Sequence, residues 1–315
     1  MKIFAPIRNS AHIAMLEEAG ADEYYCGFND DRWIRTFGNS IEMNRRSACG
    51  NAANFASLDD LKNAVKVTHQ YNKKILLALN HHQFTKSEIG YVCEMIDVFS
   101  SIGGDGVILA DLAAIDYAVR KKLYVAVSTD AHIYNVETAL FYARRGANRL
   151  ILSRDIPIDT IGKIKGAVGT VEIESFMING PCKFSDSLCL GLHSTEYGAF
   201  CRFLNGCDWV FPDKENLKQT KSAYSFFLNE YMKSACGLCA IWKLMDLHVD
   251  ACKVVGRVLP PERIVKEVRL IHENIRIAAT CSSQEEFLSK MIRPKIQTCR
   301  TANNCLYPDT QYLLH

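Results

Sequence analysis

Six of the 13 cysteines in this 315-residue chain fall between positions 182 and 239, and they carry its clearest chemical signal. They are Cys182, Cys189, Cys201, Cys207, Cys236 and Cys239. Thiolates are soft ligands that suit zinc or an iron–sulfur cluster, whereas calcium and magnesium prefer oxygen ligands. Only Cys236 and Cys239 form a CxxC pair, so the paired spacing of a zinc ribbon is missing. The spacing therefore favours a cluster held by widely separated cysteines, with zinc as the alternative.

The composition narrows the class of protein. The odd cysteine count, the length of the chain and the lack of an amino-terminal signal pattern argue against a secreted disulfide scaffold. A cytoplasmic protein is expected instead. No apolar run reaches the roughly 18 residues that a membrane span requires, so no membrane segment is predicted. The formal net charge of +2 argues against a general electrostatic attraction to nucleic acid and leaves a local basic groove open.

Short apolar segments rich in β-branched residues alternate with segments of helical periodicity, which is typical of repeated βα units. Strands are predicted at residues 2–7, 23–28, 74–80, 106–111, 124–129, 149–154, 171–176 and 251–256. Ser57 and Asn135 mark two helix starts as capping residues. Eight such units predict an α/β fold, a (β/α)8 TIM-like barrel over residues 1–280. An open doubly wound sheet is the alternative, but "APIRNSAH" after the first strand has no glycine-rich phosphate loop.

Two segments interrupt this alternation. Residues 177–235 are too long for an ordinary βα loop and are predicted to form a cysteine-rich insertion after strand seven. Residues 281–315 are predicted to form an irregular C-terminal tail. Because active sites of such barrels lie at the carboxyl ends of the strands, the insertion is expected to bring its thiols to that mouth.

Barrel geometry also nominates the residues at the predicted strand ends, whose side chains are expected to point into the mouth. They are Asn80, Asp111, Thr129, Arg154, Glu174 and Arg257. Glu174 is the candidate for proton transfer, and Arg154 and Arg257 could bind an anionic substrate through bidentate hydrogen bonds. Asn80 and Thr129 complete the predicted substrate contacts.

Structural roles are the alternatives for several of these residues. Asp111 and Asn80 could cap the helices that follow them, and Arg154 could pair with Asp155 or another neighbour at the rim. The adjacent His81 and His82 have no carboxylate at metal-binding spacing, which favours a surface loop over a metal site.

The sequence "ESFMINGPCKFSDSLC" resembles the signature of the U32 peptidase family, the collagenase-like proteases. In that signature a glutamate, an aromatic residue two positions later and two cysteines seven apart follow one strand. Glu174, Phe176, Cys182 and Cys189 stand at those positions. The segments "NFASLDDLKNAVKVTHQYNKKILLALN", "VSTDAHIYNVETALFYARRGANRLILSRDIPIDTI" and "CGLCAIWKLMDLHVDACKVVGR" are similar to the family as well. The resemblance covers residues 1–260.

The resemblance implies a barrel that, in several members of the family, carries an oxygen-sensitive cluster on four cysteines. It also implies dioxygen-independent hydroxylation of RNA bases or quinone precursors. The implied ligands of a 4Fe-4S cluster are Cys182, Cys189, Cys201 and Cys239, with Cys207 and Cys236 as substitutes. The chain departs from the family pattern at Asn179, where a histidine is common, and at Val255, where strand eight usually has an acidic residue.

The leading interpretation is an iron–sulfur oxidoreductase that hydroxylates an RNA base, a quinone precursor or a peptide. Clustered thiolates are better suited to electron transfer than to hydrolysis. A collagenase-like peptidase is the second interpretation, with a zinc-activated water as its route. The sequence gives this interpretation little support, because it contains no GxSxG motif, no HExxH motif and no cysteine assignable to a catalytic His and Asn. A non-catalytic accessory subunit that binds a partner subunit is the third.

Overall fold

Eight parallel strands close into a barrel in chain order, and β8 pairs back onto β1. The computed structural model describes residues 1–38, 42–180, 189, 235–294 and 305–313. The strands are β1 (Lys2–Pro6), β2 (Glu23–Cys26), β3 (Lys74–Leu79), β4 (Gly106–Leu109), β5 (Tyr124–Val127), β6 (Arg149–Ile151), β7 (Glu172–Ile178) and β8 (Ala251–Val254). The predicted TIM-like barrel is confirmed.

Helices follow the strands and cover the outside of the barrel. In the described ranges they are α1 (His12–Glu18), α2 (Asp31–Phe37), α3 (Leu58–Gln70), α4 (Lys86–Ser101), α5 (Leu112–Arg120), α6 (Val136–Arg144), α7 (Ile158–Val168), α8 (Ile241–Asp246), α9 (Pro261–Ala278) and α10 (Gln284–Lys290). Both predicted caps are confirmed, since the side chains of Ser57 and Asn135 accept hydrogen bonds from backbone N–H groups in the first turns of α3 and α6. Helix α10 lies within the segment predicted to be irregular.

The strands differ from their predicted bounds mainly at the mouth. Seven of them end one to three residues early, because the next residues leave the ladder to start turns or cap helices, as Ser128 does for the short 3-10 turn Thr129–Ala131. β7 instead continues to Ile178, with an irregularity in its pairing to β8 between Phe176 and Ile178. Glu174 is therefore the third residue of β7, and the expectation that it stands near the strand end is wrong.

An apolar layer between strands and helices holds the barrel together. On β3, Ile75, Leu77 and Leu79 alternate toward this layer and are fully buried, as are Val92 and Ile96 of α4 in the same cluster. Each such side chain stabilises the fold by about 1.5–3 kcal/mol relative to an exposed one. This layer fixes the strand register and so places the strand ends that carry the polar residues.

The interior of the barrel is charged rather than apolar at its amino end. Arg149 of β6 contacts Glu23 of β2 at 2.6 Å and Glu174 of β7 at 3.1 Å. Because β2 and β6 are not neighbours in the sheet, the first of these ion pairs must run across the barrel interior. The guanidinium of Arg149 also contacts Glu172 at 2.5 Å, so one fully buried cation holds carboxylates from two different strands together.

No helix in the described ranges has both the length and the apolar character needed to cross a membrane.

Candidate functional site

The carboxyl ends of β3 and β5 are joined by polar side chains. The amide of Asn80 donates hydrogen bonds to Ser128 Oγ and Asp130 Oδ2, both at 3.0 Å. Arg45 forms an ion pair with Asp130 at 2.8 Å. Asn80 therefore bridges two strand ends, and the helix that follows it is capped by Thr85 instead.

Of two other residues predicted at the mouth, Thr129 lies there and Asp111 caps a helix. Thr129 opens the turn after β5, and its hydroxyl lies 3.5 Å from that of Ser153 after β6. Asp111 accepts hydrogen bonds from the backbone of Ala114 and of Phe84 and caps α5, which confirms its structural alternative. Thr129 thus stays at the mouth, whereas the Asp111 side chain is used to hold a helix start and a loop.

Arg257 is held inside the mouth by two asparagines. Its guanidinium nitrogens donate to Asn54 Oδ1 at 3.2 Å and to Asn44 Oδ1 at 2.8 Å. A side chain at Gly27 would overlap both this guanidinium and the Asn54 oxygen, so glycine leaves the room that the arginine occupies. Burial lowers the pKa of Arg257 to about 10, at which the group is still protonated at neutral pH.

Further arginines converge on the same space. The guanidinium of Arg154 lies 4.0 Å from the centre of the Phe176 ring, a cation–π contact. Burial, with the nearby charges of Arg45 and Arg154, lowers the pKa of Arg46. Burial raises the pKa of Tyr25, and Arg257, Arg46 and Arg154 all act against that shift, so three cations lie within electrostatic reach of one phenol. This arrangement suits an anionic ligand.

A lysine lies between this mouth and the charged interior. Lys253 Nζ contacts Glu174 Oε1 at 2.8 Å and lies 4.1 Å from the centre of the Tyr25 ring. Burial lowers the pKa of Lys253, although the charge of Glu174 opposes that shift. Glu174 is completely buried, whereas 8% of Lys253 is exposed, so Lys253 is the less buried residue of the pair.

Two thiols meet on the β7 side of the mouth. Cys239 Sγ lies 3.1 Å from Thr310 Oγ1 and is hydrogen-bonded to the thiol of Cys305. The Cys305 contact is the main cause that lowers the pKa of Cys239, with help from Thr310 and against the effect of burial. A lowered pKa favours the thiolate, which is the form that binds soft metals.

The other predicted ligands are only partly described. Cys189 is half-buried, and its carbonyl oxygen lies 2.8 Å from Nε2 of His82, whose Nδ1 lies 3.1 Å from the carbonyl of Asp130. Cys182 and Cys201 lie outside the described residues. Across the described ranges, no three His, Cys, Asp or Glu side chains form a group that could hold a metal. The thiol chemistry of Cys239 and Cys305 fits a soft metal, and the described part of the chain supplies two donors of such a set.

Sequence reasoning missed several of the charged residues that line this space. Arg149 is a charged residue at the start of a buried strand, and that conflict with burial is a signal which could have identified it. Arg45 and Arg46 lie in the long connection between β2 and β3, where length alone points to function but not to particular residues. Lys253 is visible in the strand-eight segment, yet only its pairing with Glu174 reveals its place below the mouth.

The chain is similar to proteins of one family along nearly its whole length. A family model described as Peptidase family U32 matches residues 8–307. The uncharacterized protease MJ0090 of Methanocaldococcus jannaschii is 26% identical over 87% of this chain and 65% of its own length. The collagenase of Porphyromonas gingivalis is 24% identical over 92% of this chain and 69% of its own. The tRNA hydroxylation protein P2 of Bacillus subtilis is 25% identical over 74% of this chain and 77% of its own.

Proposed function

Because the chain belongs to peptidase family U32, we propose that it is an iron–sulfur oxidoreductase that hydroxylates an anionic substrate at the barrel mouth. Relatives named as proteases and relatives named as tRNA hydroxylation proteins both match, so membership alone does not choose an activity. The observation that carries the choice is the convergence of Arg46, Arg154 and Arg257 on one phenol, in a chain that also brings two thiols together.

The arginines support an anionic substrate. The planar guanidinium group matches phosphate and carboxylate geometry, and charge-assisted hydrogen bonds to it are roughly twice as strong as neutral ones. Arg257 is held rigidly by Asn44 and Asn54, which lowers the entropy that binding would cost. RNA is the substrate class we favour, since it carries such anions and since several relatives are named tRNA hydroxylation proteins.

The floor of the mouth supports a proton-transfer role for the Lys253–Glu174 pair. Lys253 is the less buried member, and its lowered pKa makes the ammonium a better acid than an exposed lysine. Glu174, which sequence reasoning nominates as catalytic, holds that ammonium from below at 2.8 Å. In this proposal Glu174 acts on the substrate through Lys253. Asn80 and Thr129 would complete the substrate contacts on the β3 and β5 side.

The cofactor belongs to the same proposal. Cys239 and Cys189, with Cys182 and Cys201 outside the described residues, are the ligands that the family resemblance assigns to a 4Fe-4S cluster, and zinc is the alternative. When bound, the cluster would relay electrons between the substrate, which hydroxylation oxidises, and an oxygen-donating cosubstrate, which is reduced. Cys239, whose pKa is lowered, and its neighbouring thiol favour such a soft metal over calcium or magnesium.

The peptidase remains the competing activity because two of the relatives are named as proteases. His82 gives it little support, since both ring nitrogens lie against carbonyl oxygens and a general base needs one of them.

Anaerobic purification separates the two activities. The proposal expects iron and acid-labile sulfide in the purified protein, loss of colour in air, and an added oxygen atom in RNA detected by mass spectrometry of its nucleosides. The matched sample is RNA incubated with the Arg257→Gln protein. Stoichiometric zinc without sulfide, together with cleavage of a denatured collagen peptide, would replace the hydroxylase with the peptidase.

A further inference from the structure

A pair of asparagines lies buried where the connection between β2 and β3 meets the end of β8. Asn44 and Asn54 are 0% and 1% exposed, and both belong to that connection. The amide of Asn44 donates a hydrogen bond to Asn54 Oδ1 at 3.2 Å. The two side chains therefore form one polar unit at the mouth, the asparagine pair.

The asparagine pair fixes two arginines from different parts of the chain. Asn44 Oδ1 accepts from the guanidinium of Arg257 at 2.8 Å and from the backbone N–H of Arg46 at 2.9 Å. Asn54 Oδ1 accepts from Arg257 at 3.2 Å. The amide of Asn54 donates to the carbonyls of Arg46 at 2.9 Å and of Gly50 at 2.7 Å. The guanidinium of Arg257 and the backbone on both sides of Arg46 are thus held by the same two side chains.

The charge of these two arginines is not balanced by the residues that hold them. Arg257 is only 8% exposed, yet the oxygens that accept its hydrogen bonds belong to neutral amides. Burial lowers the pKa of Arg257, and the charge of Arg46 adds to that shift. Burial also lowers the pKa of Arg46, and the charges of Arg45 and Arg154 add to it. In the part of the chain that the structure describes, no carboxylate forms an ion pair with Arg46 or Arg257, and a buried cation without an opposite charge is costly. An anionic ligand would supply that charge.

The amide at position 44 has a direct alternative. A carboxylate there could accept the same hydrogen bonds from Arg257 and Arg46, and it would also neutralise the guanidinium. Arg149 shows that arrangement at the opposite end of the barrel, where three carboxylates surround one guanidinium. At the mouth two amides position the cation and leave its charge available to a ligand.

We propose that Asn44 and Asn54 determine the anion specificity of the mouth, because they hold Arg257 and Arg46 in place for a phosphate group of the substrate without neutralising them. This inference rests on the proposed function only for its anionic substrate. The asparagines contact the arginines and not the substrate, so they are positioning residues. Phosphate is the ligand group that fits, since its oxygens accept the N–H groups of a guanidinium and its charge balances the buried cations.

The test separates the charge at position 44 from its hydrogen bonds. Asn44→Asp keeps an acceptor for Arg257 and adds a negative charge, whereas Asn44→Ser is neutral and too short for that contact. Both variants lose the hydrogen bond to Asn54, so that loss does not distinguish them. Asn44→Asp should bind RNA at least about tenfold more weakly than the unchanged protein, because it cancels one charge-assisted contact. It should also bind more weakly than Asn44→Ser.

Binding is measured on full chains purified without oxygen, by the fluorescence anisotropy of a labelled single-stranded RNA oligonucleotide at several KCl concentrations. Loss of one phosphate contact should make the slope of log affinity against log salt shallower by about 0.7 in Asn44→Asp. Asn148→Asp is the matched control. It adds the same charge on an exposed residue just before β6, where the side chain accepts the N–H of Val125 and a carboxylate can do the same. It should bind RNA as the unchanged protein does.

The melting temperature shows whether Asn44 serves the fold alone. A carboxylate beside Arg257 should leave Asn44→Asp at least as stable as Asn44→Ser. Tighter RNA binding by Asn44→Asp than by Asn44→Ser would overturn the inference, since the amide would then be only an anchor for Arg257. Failure of Asn44→Asp to fold where Asn44→Ser folds would overturn it as well.

These measurements do not depend on hydroxylation. If RNA binds with the expected order of affinities but gains no oxygen, the proposed activity fails and this inference stands. If RNA is hydroxylated and Asn44→Asp binds it as tightly as the unchanged protein, the activity stands and this inference fails. Absence of any RNA binding by the unchanged protein would contradict both.

Discussion

Buried arginines at the two ends of the barrel interior have different kinds of hydrogen-bond partner. At the amino end, Arg149 is surrounded by the carboxylates of Glu23, Glu172 and Glu174. At the mouth, Arg257 is held by the neutral amide oxygens of two asparagines. Carboxylates neutralise the positive charge of a cation, so it attracts an anionic ligand only weakly. Neutral amides position a cation without neutralising it, so its charge remains able to bind an anion. The comparison indicates that the amino end is built for stability and the mouth for binding.

The largest effect is expected at the amino end. Arg149→Met removes the cation that three carboxylates share and leaves the buried Glu23 and Glu174 without it, which should destabilise the fold by roughly 3–5 kcal/mol. Urea unfolding measures this change. Arg145→Met is the control, because Arg145 pairs with Asp116 at the surface and such pairs contribute about 0–1 kcal/mol. Equal losses of unfolding free energy in both variants would contradict a special stabilising role for the amino end.

Glu174→Gln tests the boundary between the ends, since Glu174 contacts both Arg149 and Lys253. If the pair moves protons, turnover should fall on the order of a hundredfold while the cluster spectrum stays unchanged. The melting temperature, measured on the same sample, reports any structural loss. Full turnover in a folded and loaded Glu174→Gln protein would assign Glu174 to the stabilising end alone.

Arg154→Met tests whether the mouth binds an anionic substrate. The methionine keeps an apolar contact with Phe176 but removes the charge, so binding of an anionic substrate should weaken by about tenfold or more while the melting temperature changes little. The apparent affinity for RNA measures the effect. Arg120→Met, on the exposed end of α5, is the matched control and should bind as the unchanged protein does. A large loss of stability with unchanged binding would contradict a binding role for the mouth.

The smallest effect is a pH dependence at the amino end. Burial would raise the pKa of Glu172, but hydrogen bonds from Lys2, Tyr124 and Arg149 and the charge of Arg149 hold it at about 2, below its ordinary 4.5. A lowered pKa stabilises the fold above about pH 4.5, and that contribution is lost as the pH falls toward 2. Glu172→Gln should therefore show a shallower decline of stability than the unchanged protein across this interval, in urea unfolding at each pH.

The sequence predicted the barrel well because its eight apolar segments and their intervening helices are local patterns, and Ser57 and Asn135 announce helix starts by residue type. It could not place Arg149 or Lys253, because their partners lie on other strands and pair only after the barrel closes. The same limit applies to Cys305, which is 66 positions from Cys239 and meets it only through docking of the C-terminal segment. Glu174 was expected at the mouth, but the end of β7 was misjudged by two residues, so Glu174 lies in the barrel interior instead.

The C-terminal segment 305–313, which packs against the loop of Cys236 and Cys239, also sets an order of events during biosynthesis. Cys239 and the strands around it leave the ribosome well before residues 305–313, so the paired thiols do not exist while the chain is still being made. The segment can pack against β7 and the start of α7 only after both have been made. The contacts of Tyr307 and Asp309 are therefore among the last that the described part of the chain can form during synthesis.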